Sequence, residues 1–236
     1  MTRAADGRDA TPWSPRSLPP RTAMQGRLVR LEPIDPQRHG SALFRAAEGP
    51  GADPRLWDWM AVGPFGSEAA FRAWLDPLPA SADPLFVAIL TEPDGVPRGM
   101  ASFLRITPAH GVIEIGNIWL GTGLQRSPAA TEAMWLLARR AFAELGYRRL
   151  EWKCDARNGR SIRAALRLGF SFEGVFRQHM VIKGLNRDTA WFALLDRDWP
   201  RVDAAFRAWL DPANLGPDGR QRRRLEEIRA SLADPP

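Results

Sequence analysis

One strand-to-helix junction, GTGLQRSPAATEA over residues 121–133, carries residue types well suited to binding an anion. Ser127 is a favourable helix N-cap, and Pro128 suits the first helical position because no backbone N–H is needed there. The residues that would supply donors at this positive helix end are Gln125, Arg126, Ala129, Ala130 and Thr131. A pyrophosphate is the kind of group that such an end binds. An ordinary helix start looks the same, so the pattern alone leaves both interpretations open.

A second polar pattern, NGRSIRAALRLGF over residues 158–170, follows the strand-like stretch RLEWKCD at residues 149–155. Asn158 could cap the helix that begins here, or it could also offer its side-chain amide to a ligand at the end of the strand. Gly169 is typical of the residue that follows a helix C-terminus. Cys154 is predicted to pack in the core, as a lone thiol on a strand usually does.

The elements that must position these residues follow the order β α α β β β α β α β β. Apolar residues at helical spacing predict helices after the capping residues Asp35, Ser67, Ser127 and Asn158. The predicted strands cover residues 26–32, 85–90, 99–106, 112–120, 149–155, 171–183 and 189–196. This interleaved order favours an α/β (α+β) fold with a mixed central sheet flanked by helices.

Three segments are expected along the chain. Residues 1–25 mix proline with charged residues and lack periodicity, which predicts a disordered N-terminal arm. Residues 26–199 are expected to form one folded domain that ends in a hairpin with its turn at residues 184–188. Residues 200–236 are predicted to add a helical C-terminal extension.

The composition limits the class of protein. A formal net charge of +6 is compatible with a phosphorylated cofactor, a nucleic acid or an acidic protein as partner. The single cysteine excludes an intrachain disulfide and suits a reducing compartment. We find neither a signal peptide nor a run approaching the ~20 apolar residues that a membrane span requires. A cytoplasmic protein without membrane contact is therefore expected.

Both polar patterns resemble motifs of the GNAT acetyltransferase superfamily. The loop motif (Q/R)-x-x-G-x-(G/A) and the later motif N-x-x-(S/A) followed by G-F correspond to Gln125, Pro128, Ala130, Asn158, Ser161, Gly169 and Phe170. The order of elements over residues 26–196 also matches. Within the superfamily, the T-E-A at residues 131–133 and the terminal hairpin resemble the Rim-type (RimJ/RimL-like) ribosomal-protein N-terminal acetyltransferases.

The resemblance implies a GNAT fold in which strands 112–120 and 149–155 splay apart and hold acetyl-CoA in the gap, without a metal. Its pantetheine would pair with the backbone of Ile118, Trp119 and Leu120. Its pyrophosphate would lie on the donors of residues 125–131, which include Ser127. Asn158 and Ser161 would contact the pantetheine from the other side.

Catalytic roles are also implied by the resemblance. Glu114 stands where related enzymes place a general base, although an exposed strand glutamate is the alternative. A backbone N–H of Ile118 or Trp119 would stabilise the oxyanion. Two positions depart from the family pattern, because Pro128 replaces a glycine and Ala165 replaces a tyrosine that protonates the leaving thiolate. Ser161, or water held by it, is the predicted substitute.

The acceptor implied is a primary amine, either a protein N-terminus or a small molecule such as a polyamine, amino acid or aminoglycoside. The residues proposed to contact it are Trp57, Trp59, Met60, Phe65 and His179. For the aromatic residues, a plug that closes the core is the alternative. For His179, with Arg177 and Asp188, solvated strand positions are favoured.

Two other classes of function are weighed against the enzyme. Pro128 and Ala165 also fit a CoA-binding regulatory module without catalysis. The arginines at residues 220–229 invite a nucleic-acid interpretation, but their interleaved acidic and apolar residues favour an amphipathic helix. Nucleic acid is therefore an unfavoured partner, and a monomer or a homodimer is expected.

Overall fold

The computed structural model describes residues 13–218 and 220–232, and in this part of the chain eight strands form one mixed sheet. The strands are β1 Met24–Gln25, β2 Val29–Pro33, β3 Leu85–Thr91, β4 Val96–Thr107, β5 Val112–Leu120, β6 Arg149–Asp155, β7 Ser171–Ile182 and β8 Leu185–Leu195. Their order across the sheet is β1-β2-β3-β4-β5-β6-β8-β7. Only β5 and β6 pair in parallel among these neighbours. The predicted fold class, a mixed GNAT sheet flanked by helices, is confirmed.

Four of the six α-helices begin at the capping residues expected from the sequence. They are α1 Pro36–Glu48, α2 Glu68–Leu75, α3 Pro128–Arg139, α4 Gly159–Leu168, α5 Trp199–Leu210 and α6 Leu225–Ser231, and a π-helical turn at Arg140–Glu144 continues α3. The side chains of Asp35, Ser67, Ser127 and Asn158 each accept a hydrogen bond from a backbone N–H in the first turn. These bonds satisfy donors that a helix start would otherwise leave unpaired.

Each face of the sheet carries its own hydrophobic core. On one face, α3 to α6 pack over alternate strand residues such as Ile113 of β5, Trp152 of β6 and Phe192 of β8. On the other face, α1 and α2 pack over β3, β4 and Trp119 near the end of β5. Because strand side chains alternate between faces, Glu114 shares the second face with Trp119 across a one-residue bulge in β5.

The parallel pair at the centre of the sheet separates soon after it forms. The paired residues are Val112 with Arg149, Ile113 with Leu150, and Glu114 with Glu151. Beyond them the two strands diverge, which confirms the predicted splay between strands 112–120 and 149–155. The remainder of β5 therefore has β4 as its neighbour on one side and an open gap on the other.

The N-terminal segment differs from the predicted disordered arm. Residues 1–12 lie outside the described residues, but residues 13–25 run along the domain and form specific hydrogen bonds. The Trp13 indole N–H donates to the carbonyl of Ala109 over 2.7 Å, and the Arg21 guanidinium donates to the carbonyls of Pro79 and Ser81. Hydrogen bonds from polar side chains, rather than an apolar stripe, hold residues 13–25 on the domain. Hydrophobic periodicity therefore could not predict this packing.

The terminal hairpin also turns more tightly than predicted. Strand β7 ends at Ile182 and β8 begins at Leu185, so residues 185–188 belong to the strand. Lys183 and Gly184 have φ angles of 49° and 76°, the left-handed backbone of a two-residue hairpin turn. The helices expected after residue 199 are present, and they share the core of α3 and α4 through side chains such as Phe206 and Ile228. No helix among the described residues is long and apolar enough to cross a membrane.

Candidate active site

The loop before α3 presents two free backbone donors, and two of the expected donor residues, Ala130 and Thr131, use their N–H groups within the loop. Ser127 Oγ accepts from the Ala130 N–H over 3.1 Å, and the Ser127 carbonyl accepts from the Thr131 N–H over 3.4 Å. These bonds occupy two amides that were expected to meet a phosphate. In the described part of the chain, the N–H groups of Arg126 and Ala129 have no hydrogen-bond partner. Pro128 has no N–H, so the anion-binding amides are those on either side of it.

The side chains around this loop fix its shape. Gln125 Nε2 donates to the Leu120 carbonyl over 2.9 Å, which ties the loop to the end of β5 instead of leaving that amide for a ligand. Arg126 has a φ of 57° and an exposed side chain. Thr131 Oγ1 accepts from Arg167 Nη1 over 3.1 Å, a contact that links α3 to α4. Arg126 is therefore the charged group of the loop that remains available to an anion.

A bulge in β5 shapes the wall of the gap. Met100 pairs with Trp119 and Ser102 pairs with Gly116, so β5 holds one extra residue between these pairs. Asn117 has a φ of 50° at this point, and its Nδ2 donates to Ser102 Oγ over 2.9 Å. A bulge interrupts the ladder with the neighbouring strand. The backbone beside it, toward Ile118, is thus released from regular pairing with β4 where β6 has also moved away.

The opposite wall is formed by the start of α4. Asn158 Oδ1 accepts from the Ser161 N–H over 3.1 Å, so its oxygen caps the helix while its NH₂ group stays available. Ser161 Oγ accepts from the Trp152 indole N–H over 2.9 Å. Burial raises the pKa of the nearby Cys154 thiol, and a hydrogen bond to Ser161 opposes that rise. Cys154 is buried in the core on the helix side of β6, as predicted.

Glu114 is buried rather than exposed, with 2% of its surface accessible. Lys153 Nζ lies 3.0 Å from its Oε2, and Arg105 Nε lies 3.5 Å from the same oxygen. Burial raises the pKa of Glu114 to about 7, against the opposing effect of Lys153 and Arg105, whose charges favour the ionised form. The alternative of a solvated strand glutamate is therefore wrong. The carboxyl group stands at the last paired position before the strands separate.

A charged recess surrounds Glu114 on this face of the sheet. We call it the Trp191 recess, and its side chains are those of Arg105, Glu114, Glu151, Lys153, His179 and Trp191. Lys153 pairs with Trp191 across β6 and β8, and its Nζ lies 5.0 Å from the centroid of the indole ring. Arg105 Cζ lies 5.2 Å from the same centroid.

His179 reaches this recess from β7. Its Nδ1 lies 3.0 Å from Thr189 Oγ1, and its ring centroid lies 5.9 Å from that of Trp191. Desolvation lowers the pKa of His179, and the charges of Lys153, Arg187 and Arg105 lower it further. His179 is itself exposed, and it lies beside the Trp191 ring that Lys153 also contacts. Arg177 lies two residues before His179, and a bulge at residues 176–180 interrupts the regular alternation of side chains between them.

The aromatic loop divides into buried and accessible residues. Trp57 and Phe65 pack with Phe71, Trp74 and Trp119 in a closed cluster beneath α1 and α2. Trp57 is buried there and matches the aromatic plug, whereas Phe65 is half-buried at its edge. Trp59 is 37% exposed and Met60 is half-buried. Trp59 is thus the predicted acceptor residue of the loop that a ligand can reach most easily.

Three contacts pin this loop across the mouth of the gap. Asp53 Oδ2 pairs with Arg160 of α4 over 3.0 Å, and the Trp57 carbonyl accepts from Lys183 Nζ of the hairpin over 2.8 Å. The guanidinium of Arg157 lies 5.6 Å from the Trp59 ring centroid. The loop is therefore held by the start of α4 and by the terminal hairpin.

Lys153, Arg105 and Trp191 were not among the predicted site residues. Lys153 and Trp191 alternate with core residues on their strands, which shows only that they face away from the core of α3 and α4. Their meeting depends on the pairing of β6 with β8, which follows from topology rather than from local pattern. Arg105 reaches Glu114 from an irregular position in β4 with a φ of 49°.

The splayed strands, the bulge and the free amides of Arg126 and Ala129 fit a donor with an extended arm and phosphate groups. The small side chains of Ala129 and Ala130 leave room for a phosphate group to approach the backbone closely. Among the described residues no group of three or more His, Cys, Asp or Glu side chains could hold a metal ion.

Comparisons with known proteins agree with this geometry. Residues 29–171 match the family model described as an acetyltransferase (GNAT) domain. A solved GCN5-related N-acetyltransferase from Brucella melitensis is 47% identical, with a TM-score of 0.90, and the alignment covers 93% of this chain and 99% of that one. A Bacillus licheniformis protein described as the uncharacterized N-acetyltransferase p20 is 30% identical over 158 residues, 63% of this chain and 84% of that protein. YdaF of Bacillus subtilis, provisionally named a ribosomal N-acetyltransferase, is 29% identical over 106 residues, 45% of this chain and 57% of that protein.

Proposed function

Since this chain belongs to the GNAT acetyltransferase family and is an acyl-CoA-dependent N-acetyltransferase, we propose that it acetylates a protein N-terminal α-amine by direct attack of the amine. The observation that carries the proposal is the carboxyl group of Glu114, buried at the point where β5 and β6 separate. That point is where an amine from the open face would meet an acyl group held in the gap.

The pKa of Glu114 suits an α-amine better than a lysine side chain. An N-terminal α-amine has a pKa of ~8 and a lysine amine of ~10.4. With its pKa raised to about 7, Glu114 can accept a proton from an α-ammonium group at a modest free-energy cost. Proton transfer from lysine would be considerably less favourable. The amine nitrogen then forms the new bond to the acyl carbon as the bond to sulfur breaks.

The donor site proposed follows the two walls of the gap. Acetyl-CoA supplies the acetyl group as a thioester with a thiolate leaving group. We assign its phosphates to the free amides of Arg126 and Ala129 and to the side chain of Arg126. Gln125, Ser127, Ala130 and Thr131 shape this loop through their internal hydrogen bonds.

The pantetheine arm is assigned to the backbone of Ile118, Trp119 and Leu120 and to Asn158 and Ser161. The backbone N–H of Ile118 or Trp119 would stabilise the oxyanion. Ser161 Oγ accepts from Trp152, and its own O–H, which contacts the Cys154 thiol, would turn from that thiol toward the departing sulfur. Ala165, which replaces the tyrosine of the family pattern, is fully buried and has no group that could protonate the thiolate. We therefore assign this protonation to Ser161.

The second candidate acceptor is a small-molecule amine. It is favoured by the contact between Lys183 and the Trp57 carbonyl, which narrows the recess between the hairpin and the aromatic loop. The relationship to YdaF supports the protein N-terminus instead, through a match that covers 57% of that protein.

The test measures thiol release from acetyl-CoA with a panel of short peptides and small amines. We expect release with N-terminally free peptides, little with the same peptides blocked at the N-terminus and bearing one lysine, and a large loss in Glu114→Gln. Glu226→Gln, an exposed change on α6, is the matched control and should keep full activity. Absence of release with every amine would overturn the proposal, as would full activity of Glu114→Gln. Preference for polyamines would select the second candidate.

A further inference from the structure

Two cations stand beside the candidate base. Lys153 Nζ and Arg105 Nε lie 3.0 Å and 3.5 Å from Glu114 Oε2. The Lys153 side chain is 13% exposed, so its charge is screened by water much less than that of a surface lysine. An incoming ammonium group therefore meets two like charges within a few ångströms of the carboxylate that must take its proton.

The charged groups that face the recess come from every strand around it. They are Arg105 from β4, Glu114 from β5, Glu151 and Lys153 from β6, Arg187 from β8 and His179 from β7. Glu151 is already engaged by Arg149 at 2.7 Å. Arg187 donates to Thr189 Oγ1 and has no ion pair within the described part of the chain. The positive groups thus exceed the unengaged carboxylates.

The response of His179 agrees with this excess. After desolvation, the causes that lower its pKa are the charges of Lys153, Arg187 and Arg105, and no carboxylate counters them. The recess therefore disfavours a further positive charge.

A buried donor completes the arrangement. Trp191 is 7% exposed, and its indole N–H has no hydrogen-bond partner among residues 13–218 and 220–232. An unpaired buried N–H costs free energy unless a ligand or water accepts from it. Lys153 Nζ and Arg105 Cζ lie 5.0 Å and 5.2 Å from the ring centroid, and the N–H points outward in the plane of the ring. An anion that accepts from all three groups would therefore lie at the edge of the indole.

We propose that the acceptor carries a carboxylate or phosphate close to its nucleophilic amine, and that Lys153, Arg105 and the Trp191 indole N–H bind this anion. The inference rests on the proposed function and narrows its acceptor. The anion neutralises the cations that would repel an ammonium group, and it competes with Glu114 for Lys153. The carboxylate of Glu114 is then freed to accept the proton of the amine.

Matched acceptors test the charge requirement. One pair of peptides differs only by Asp or Asn at the second position, and a second pair is a free amino acid and its amide. We expect kcat/KM to favour the anionic member by about tenfold, the value of one well-placed charge pair. If only the peptide pair shows a preference for the anionic member, the acceptor is a protein N-terminus. If only the free amino acid is preferred over its amide, the acceptor is a small molecule. Equal rates within both pairs would overturn the proposal.

Variants assign the preference to residues. Lys153→Gln and Arg105→Gln should each reduce the ratio of the two kcat/KM values, and Lys153→Arg should restore most of it. Trp191→Phe keeps a ring and removes the N–H, so it should reduce the ratio by a smaller factor. Arg197→Gln, an exposed change of equal charge, should leave the ratio intact. Because a ratio is measured, a general loss of folded enzyme does not imitate the effect. A ratio unchanged in Lys153→Gln, Arg105→Gln and Trp191→Phe alike would contradict the assignment.

Binding of the acetylated products separates this inference from the proposed reaction. The products lack the amine, so calorimetry with the N-acetylated acidic and neutral peptides, and with the N-acetylated amino acid and its amide, reports the anion site without turnover. Tighter binding of the acidic peptide or of the free amino acid, lost in Lys153→Gln, supports the site even if no acceptor is acetylated. Equal affinity within both pairs of products overturns it, even if acetylation itself is observed.

Discussion

Two parts of one sheet face hold tryptophans in contrasting environments. Beneath α1 and α2, Trp57 and Trp119 pack among aromatic rings in a closed core. Across β6 and β8, Trp191 lies beneath Lys153 and Arg105 instead. Both parts belong to the same sheet, so what differs is the cover. Helices remove the first part from water, whereas the second keeps charged side chains along its strands.

This difference shows how one sheet supports both stability and chemistry. Covered by helices, an aromatic ring contributes packing and exclusion of water. Without that cover, the alternating strand positions can hold ionisable groups close together, and partial burial shifts their pKa values. The bulge in β5 lies at the border between the two parts, next to Glu114.

The largest expected effect concerns Glu114. A base acts in its ionised form, so kcat/KM should rise with pH through about 7, the pKa to which burial raises Glu114. Glu114→Gln should remove this rise and reduce kcat/KM by about 10²- to 10⁴-fold, the usual contribution of a general base. Steady-state rates between pH 5.5 and 9 provide the measurement. A variant with an unchanged pH profile would show that another group governs it.

The next effect is on stability and tests the covered part. Trp57 is 3% exposed and contacts three other aromatic rings, and Gly63 packs so closely on its indole that an added Cβ would lie 2.6 Å away. Trp57→Ala should lower the free energy of unfolding by about 3–5 kcal/mol through the lost packing and the cavity left. Urea denaturation followed by circular dichroism measures it. A loss below ~1 kcal/mol would mean that the aromatic cluster collapses into the cavity left by the indole.

Sequence patterns predicted the covered parts of the molecule better than the open one. Caps such as Ser127 and Asn158 and the strands β5 and β6 follow from local chemistry and were confirmed. The motif resemblance to the GNAT family was confirmed by the match to the family model. The Trp191 recess was not predicted, because Lys153 and Arg105 meet Glu114 only through strand pairing and a left-handed residue in β4. The Rim-type assignment and the roles of the site residues remain predictions.

A smaller effect should distinguish Lys153 from Lys183, the two lysines of the chain. The Lys153 charge favours the ionised form of Glu114, so Lys153→Met should raise the pKa of Glu114 further. The rise of kcat/KM should consequently move to higher pH, measured with the neutral acceptor so that binding of an anion does not contribute. Lys183→Met is the matched control, because Lys183 contacts the Trp57 carbonyl and is not among the charges that shift Glu114. A shift to lower pH in Lys153→Met would contradict the inference that the Lys153 charge favours the ionised form of Glu114.

The smallest effect on stability is expected at Trp59, two residues after Trp57, where the largest is expected. Trp59 is 37% exposed and lies beside Arg157, so Trp59→Ala should change the free energy of unfolding by no more than ~0.5 kcal/mol. If this ring contacts the acceptor at the mouth of the recess, KM for the acceptor should rise while KM for acetyl-CoA stays constant. Trp57→Ala should show the opposite balance, with a large loss of stability and, in the fraction that remains folded, a smaller rise in the acceptor KM. Similar changes in both variants would mean that the loop acts as one packed unit, and the boundary between core and recess would then lie beyond Trp59.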